Sequence, residues 1–202
     1  GVRWGGLTAD GGDQLTMDFD GFRDDPTAGY DRDAYVWADL VNYGDDPKDD
    51  RRYRSHLGKL LTKVVNKIVA IPVLKDHASA VGTGALKNMS HGSVNNGARS
   101  HSTHFTNVCN QCIPQVVSHP LIREKFVLQI MDGIKGVYRR GPAGWTPEWL
   151  WENNALMCAT DPGAMDHVAW RYGDARRKEK GRPPVGASGK PAHFESWIRY
   201  FR

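Results

Sequence analysis

Lys67-Ile-Val-Ala-Ile-Pro-Val-Leu-Lys-Asp-His77 decides the fold. Residues 67–74 form a short apolar, β-branched run that reads as a buried strand. Pro72 cannot donate to a sheet ladder, so it marks the strand's end or a sheet edge. The run closes on three polar residues, Lys75, Asp76 and His77. Two comparable runs lie downstream. Phe126-Val-Leu-Gln-Ile-Met131 leads into Asp132, and Ala155-Leu-Met-Cys-Ala159 leads into Thr160 and Asp161. Asp161-Pro162 supplies an N-cap and a first helical residue, predicting a helix to about Tyr172. Ala164, Val168, Ala169 and Tyr172 would form its buried stripe. Upstream, Tyr53, Leu57, Leu60, Leu61, Val64 and Val65 recur at helical spacing and predict a helix over 53–65. Strands alternating with helices give an α/β fold: a mostly parallel sheet with flanking helices.

The rest of the chain is less periodic. Residues 1–50 are rich in Gly and Asp and read as irregular loops with one or two short elements. Residues 75–107 carry many Gly, Ser, Asn and His, and read as a long irregular stretch of the kind that serves function. Residues 108–117 suit a short helix interrupted by Pro114. Residues 173–192 are basic, with several Gly and Pro, and read as an extended tail. Phe194, Trp197, Ile198 and Phe201 give it a short terminal helix. The expected division is an irregular acidic segment over 1–52, an α/β core over 53–172 and a basic tail over 173–202.

Composition bounds the function. The 202 residues are 40% hydrophobic and 25% charged, with a mean hydropathy of −0.56. That suits one core-forming domain and excludes wholesale disorder. No run approaches the ~20 apolar residues of a membrane span. Three Cys exclude a dense disulfide scaffold. The chain opens on Gly1 rather than Met, as a trimmed or truncated chain would. Its net charge of +4 hides −9 over residues 1–50 and +13 over the remainder. One reading is two faces of opposite sign docked on each other; another is a cationic surface for an anionic partner. Nucleic acid is disfavoured, because no stacking platform is interleaved with the basic residues.

Chemistry is expected at the carboxyl ends of the strands, where ligands gather in open α/β sheets. Lys75 and His77 are two apart and point to one side of an extended strand. They are expected to converge with Asp132, Asp161 and the segment Val81-Gly-Thr-Gly-Ala-Leu-Lys-Asn88. Gly82 and Gly84 permit turns that aim backbone N–H groups at an anion, Lys87 adds a cation and Asn88 an amide. The glycine spacing fits neither a Walker loop nor a dinucleotide fingerprint. On this reading His77, Lys75 and Asp132 carry catalysis, and Gly82, Gly84, Lys87, Asn88 and Asp161 hold an anion or cofactor. His77, His101 and His104 are the candidate ligands of a divalent metal ion. Cys109-Asn-Gln-Cys112 has three readings: part of a His/Cys metal set, a redox dithiol, or structural thiols. With only Cys158 besides, this chain alone cannot supply four thiolates for an iron–sulfur cluster. Trp145, Trp149 and Trp151, close after Arg139-Arg140, read as cover for a core edge.

The words Ile-Pro-Val-Leu-Lys-Asp-His77, Thr-Gly-Ala-Leu-Lys-Asn88 and Ala-Thr-Asp-Pro-Gly-Ala-Met-Asp166 occur in this order. Together they resemble the family called domain of unknown function 362, over about residues 60–172. The resemblance implies that Lys75, His77, Lys87, Asn88, Asp132, Asp161 and Asp166 are the positions to watch. It also implies a larger domain at the N-terminus than this chain provides. Some relatives carry ferredoxin-type Cys clusters, which this sequence lacks. Many relatives look exported, some with twin-arginine signals, which implies an extracytoplasmic location.

The sequence supports two functional classes. The first is an enzyme: a metal- or anion-binding protein of redox or isomerase type, acting on a small anionic ligand. The second is a non-catalytic accessory subunit of a larger protein assembly, docked through its acidic and basic ends.

Overall fold

A computed structural model describes residues 30–37, 54–77, 79–95, 109–141 and 146–185. The chain enters through two antiparallel strands, β1 (Tyr30–Trp37) and β2 (Arg54–Gly58). A π-helical turn over Leu60–Val64 comes next. The central sheet takes β3 (Ile68–Ala70), β4 (Val73–His77), β5 (Val81–Gly82), β6 (Phe126–Val137) and β7 (Leu150–Ala159). Its helices are α1 (Gly84–His91), α2 (Cys109–Val117), α3 (Pro120–Lys125) and α4 (Pro162–Glu179).

β6 is the spine of this α/β fold. β3 and β4 both run parallel to it along one edge, in register Ile68↔Phe126 and Val73↔Asp132. β7 lines the other edge antiparallel, and β5 adds antiparallel to β4. The decisive run 67–77 is thus two strands on one edge. Pro72 divides them without ending the ladder: it is fully buried, and its carbonyl accepts the Asp132 N–H at 2.8 Å. A proline can sit there because only its carbonyl is asked to bond.

Two apolar clusters fill the interior. One joins Leu57, Leu86, Met89, Ile113, Val117 and Ile122 around α1, α2 and α3. The other joins Leu74, Ala85, Met131, Tyr138, Trp151, Met165 and Ala169 between the sheet and α4. Each fully buried Leu or Met contributes about 1.5–3 kcal/mol. α1 contributes to both clusters, so its position ties the halves together. No helix among the described residues is long and apolar enough to cross a membrane.

Four expectations are corrected. The helix predicted over 53–65 begins instead as β2, because pairing with β1 buries Ser55, His56 and Leu57 in succession. Only Leu60–Val64 is helical, and Leu60 and Val64 stay 55% and 45% exposed, so the supposed stripe is not a core face. Second, the irregular stretch 75–107 contains β5 and α1. Ala85, Leu86 and Met89 give α1 an apolar face, masked in the sequence by the glycines before it. Third, β6 does not end at Asp132. The Asp132 carboxylate accepts the Ile134 N–H at 3.0 Å, and the β6–β7 register shifts between Gly133 and Lys135. The polar residues mark a bulge, after which the ladder resumes. Fourth, residue 173 begins no tail: α4 continues to Glu179. Ala175, Arg176, Arg177 and Lys178 are good helix formers, and the Arg176 guanidinium meets Glu179 at 2.7 Å. The proposed terminal helix over 194–201 and most of residues 1–52 lie outside the described residues.

Candidate functional site

α1 begins on a tight strand-to-helix turn. Thr83 N–H donates to Lys75 O at 3.1 Å, and Gly84 takes the left-handed conformation, φ +48°. The N–H groups of Ala85 and Leu86 then point out of the helix end. They are met by the Asp166 carboxylate of α4, at 2.5 and 3.0 Å. The backbone N–H groups that the glycine-rich turn presents are thus taken by the chain's own Asp166 carboxylate. A Cβ on Gly84 would overlap that carboxylate, so glycine is required for both φ and space.

Lys87 lies one helical turn beyond Thr83. It is 8% exposed, and no carboxylate pairs with it among the described residues. Burial holds its ammonium below the usual lysine range; Cys109 opposes that shift and the Lys75 ammonium adds to it. The Thr83 hydroxyl, also buried, has no hydrogen-bond partner among the described residues. Two mutually repelling cations and an unsatisfied hydroxyl therefore share one corner, between β4 and α1.

A small cavity of about 40 Å³ opens beside this corner. Leu74 and Asp76 of β4, Met131 of β6, Trp151 of β7 and the Tyr138 ring wall one side. α4 contributes Ala169, Trp170, Gly173 and Arg177, and Lys75, Gly82 and Gly84 also line it. Asp76 accepts the Gly141 N–H at 2.6 Å and stands 3.9 Å from the Arg177 guanidinium. Burial raises its carboxyl above the ordinary range in spite of both contacts. Arg177 also donates to Tyr138 O at 3.1 Å and Pro183 O at 2.9 Å, so it is fixed at the cavity wall. Val81, another lining residue, is held at φ 69°, a strained setting for a β-branched side chain.

The expected site residues divide. Lys75, Gly82, Gly84 and Lys87 come together. His77 does not point its Nδ1 at a ligand: that atom accepts the Ser79 and Ala80 N–H groups, both at 3.1 Å, and closes the β4–β5 turn. Asp132 is in mid-strand, one residue from the cavity-lining Met131, and alternation turns it to the opposite face. Asn88 is exposed on α1, and Asp161 is exposed as the N-cap of α4, accepting the Ala164 N–H at 2.9 Å. His101 and His104 lie outside the described residues; among the described residues no three His, Cys, Asp or Glu side chains are grouped to hold a metal ion. Trp149 carries Arg139 and Arg140 over its ring at 5.6 and 5.2 Å, Trp151 is in the core, and Trp145 is outside the described residues.

Missing from the sequence-level site are Arg177, Tyr138 and Trp170, and Asp76 had no assigned role. A usable signal existed: Asp166, Ala169, Gly173 and Arg177 are three or four apart, the spacing of one helix face. Gly173 opens the stretch expected to be a tail, whereas within α4 it leaves room for the cavity.

Fold and site together define an α/β domain with a small cavity beside its parallel strands. Residues 45–171, more than half of the chain, match the family model described as Domain of unknown function (DUF362), and the chain belongs to that family. No curated protein and no solved structure matches it.

Proposed function

We propose that the chain is a small-anion enzyme of redox or isomerase type, whose ligand carries its negative group to Lys75 and Lys87. One observation carries this reading: Lys87 is buried beside a second ammonium with no carboxylate to balance either among the described residues. A buried unpaired cation costs stability, and a site that binds an anion is a physical reason to keep one. The Thr83 hydroxyl supplies a hydrogen bond to the same group. The ligand's body lies in the cavity against Tyr138 and Trp151. Proton transfer belongs to Asp76 rather than His77, since burial raises that carboxyl above the ordinary range and Asp76 lines the cavity.

The test is a thermal-shift series with inorganic phosphate and small carboxylates at constant ionic strength. At least one is expected to raise Tm in the wild type and not in Lys75→Ala, by mass action on the folded state. Equal shifts in both proteins would overturn the proposal.

A further inference from the structure

Cys109 is the first residue of α2, and Cys112 comes one turn later; both are thiols and both are buried. Neither lines the cavity, and Cys109 lies close enough to the Lys87 ammonium to act on its charge. Beside them is a chain of hydrogen bonds with a defined direction. The Ser90 hydroxyl donates to Lys87 O at 3.0 Å, which commits its only proton. Its oxygen, 2.9 Å from His91 Nδ1, therefore accepts from that nitrogen. A neutral imidazole with its proton on Nδ1 presents a lone pair at Nε2. That lone pair faces Cys109 Sγ at 3.9 Å, within reach of a sulfur hydrogen bond. A thiol, a base aimed at it and a third group fixing the base form the arrangement that activates a nucleophile. The Lys87 ammonium favours the thiolate.

We infer that Cys109 and Cys112 are a redox-active dithiol, with Cys109 the attacking sulfur, His91 its base and Cys112 the resolving sulfur. Residues three apart on a helix have Cβ atoms roughly 5–6 Å apart. A small adjustment of the first turn brings such a pair to disulfide distance. Burial shuts out bulky disulfide partners and selects a small oxidant, a hydroperoxide. The steps balance. His91 Nε2 takes the Cys109 proton, and the thiolate attacks the terminal peroxide oxygen: an S–O bond forms, the O–O bond breaks, and the leaving oxygen takes the proton from His91 and departs as water or an alcohol. The Cys112 sulfur then attacks the Cys109 sulfenic acid. An S–S bond forms, the S–O bond breaks, and the hydroxyl leaves with the Cys112 proton as water. A dithiol small enough to enter the same buried site reverses the oxidation.

The inference stands on α1 and α2 alone, so it survives if no anion binds Lys75 and Lys87. The exposed thiol of Cys158 serves as an internal reference. The full-length chain is treated with limiting hydrogen peroxide, and the state of each Cys is read by peptide mass mapping. The expected result is a Cys109–Cys112 disulfide formed before Cys158 is modified. In Cys112→Ser the expected product is a trapped sulfenic acid on Cys109. In His91→Phe, oxidation slows on the order of a hundredfold. Prior oxidation of Cys158 in the wild type, with 109 and 112 still dithiol, would overturn the inference without any variant having to fold.

Discussion

Gly84 is the residue that lets the Asp166 carboxylate reach the end of α1. The two lie on different helices, and their contact joins the glycine turn to the cavity wall. It also takes up the backbone N–H groups that the glycine-rich turn would otherwise offer to an outside anion. Asp166→Ala is expected to cost about 3 kcal/mol, since two buried N–H groups lose a charged acceptor. Gly84→Ala is expected to cost at least as much, because left-handed strain adds to the overlap. Urea denaturation measures both; losses under about 0.5 kcal/mol, the size of an ordinary surface substitution, would remove Asp166 from this role.

Lys87→Met should separate stability from binding. It removes a buried unpaired ammonium, so unfolding free energy is expected to rise by about 1 kcal/mol or more while anion binding falls. The pH dependence comes from the lowered folded value. Between that value and the ordinary lysine range, the unfolded chain binds the proton more tightly, so wild-type stability climbs with pH. The variant loses this climb, which denaturation curves at several alkaline pH values will show.

Asp76 gives the opposite slope. Its carboxyl is raised, so the folded protein holds the proton more tightly than the unfolded chain does. Stability is full below the ordinary carboxylate value and falls as pH rises through the raised one. Asp76→Asn is expected to flatten this decline in unfolding experiments across the acidic range. An unchanged profile would mean that Asp76 ionises as an ordinary surface acid.

Gly173 meets no other atom where a side chain would project. Within α4, Gly173→Ala is expected to add about 0.5–1 kcal/mol through helix propensity. Gly173→Leu is expected to leave the fold intact and obstruct the cavity, so any ligand that raises the wild-type Tm should no longer do so. Undiminished ligand response in the leucine variant would place the binding site elsewhere.

Much of this architecture was legible in the residues. The apolar runs at 67–74, 126–131 and 155–159 mark real strands, and Asp161-Pro162 opens a real helix. Boundaries failed where polar residues serve a local bond, as Asp132 does at its bulge. They also failed where tertiary pairing overrode periodicity, as in β2. Lys75 and Lys87 were legible as a cationic pair because a strand and the helix after a tight turn must lie close. At His77 the imidazole is written in the sequence, but the use of its Nδ1 to close its own turn is not. Arg177 was hidden because a glycine in mid-helix reads as an ending.

Lys87 as a buried cation held for an anion is tested most directly by titrating its ammonium with lysine-selective NMR, with and without inorganic phosphate. Lys87 is expected to titrate below the usual lysine range, and phosphate is expected to move it upward. A Lys87 signal that tracks the other lysines in both conditions would contradict this role.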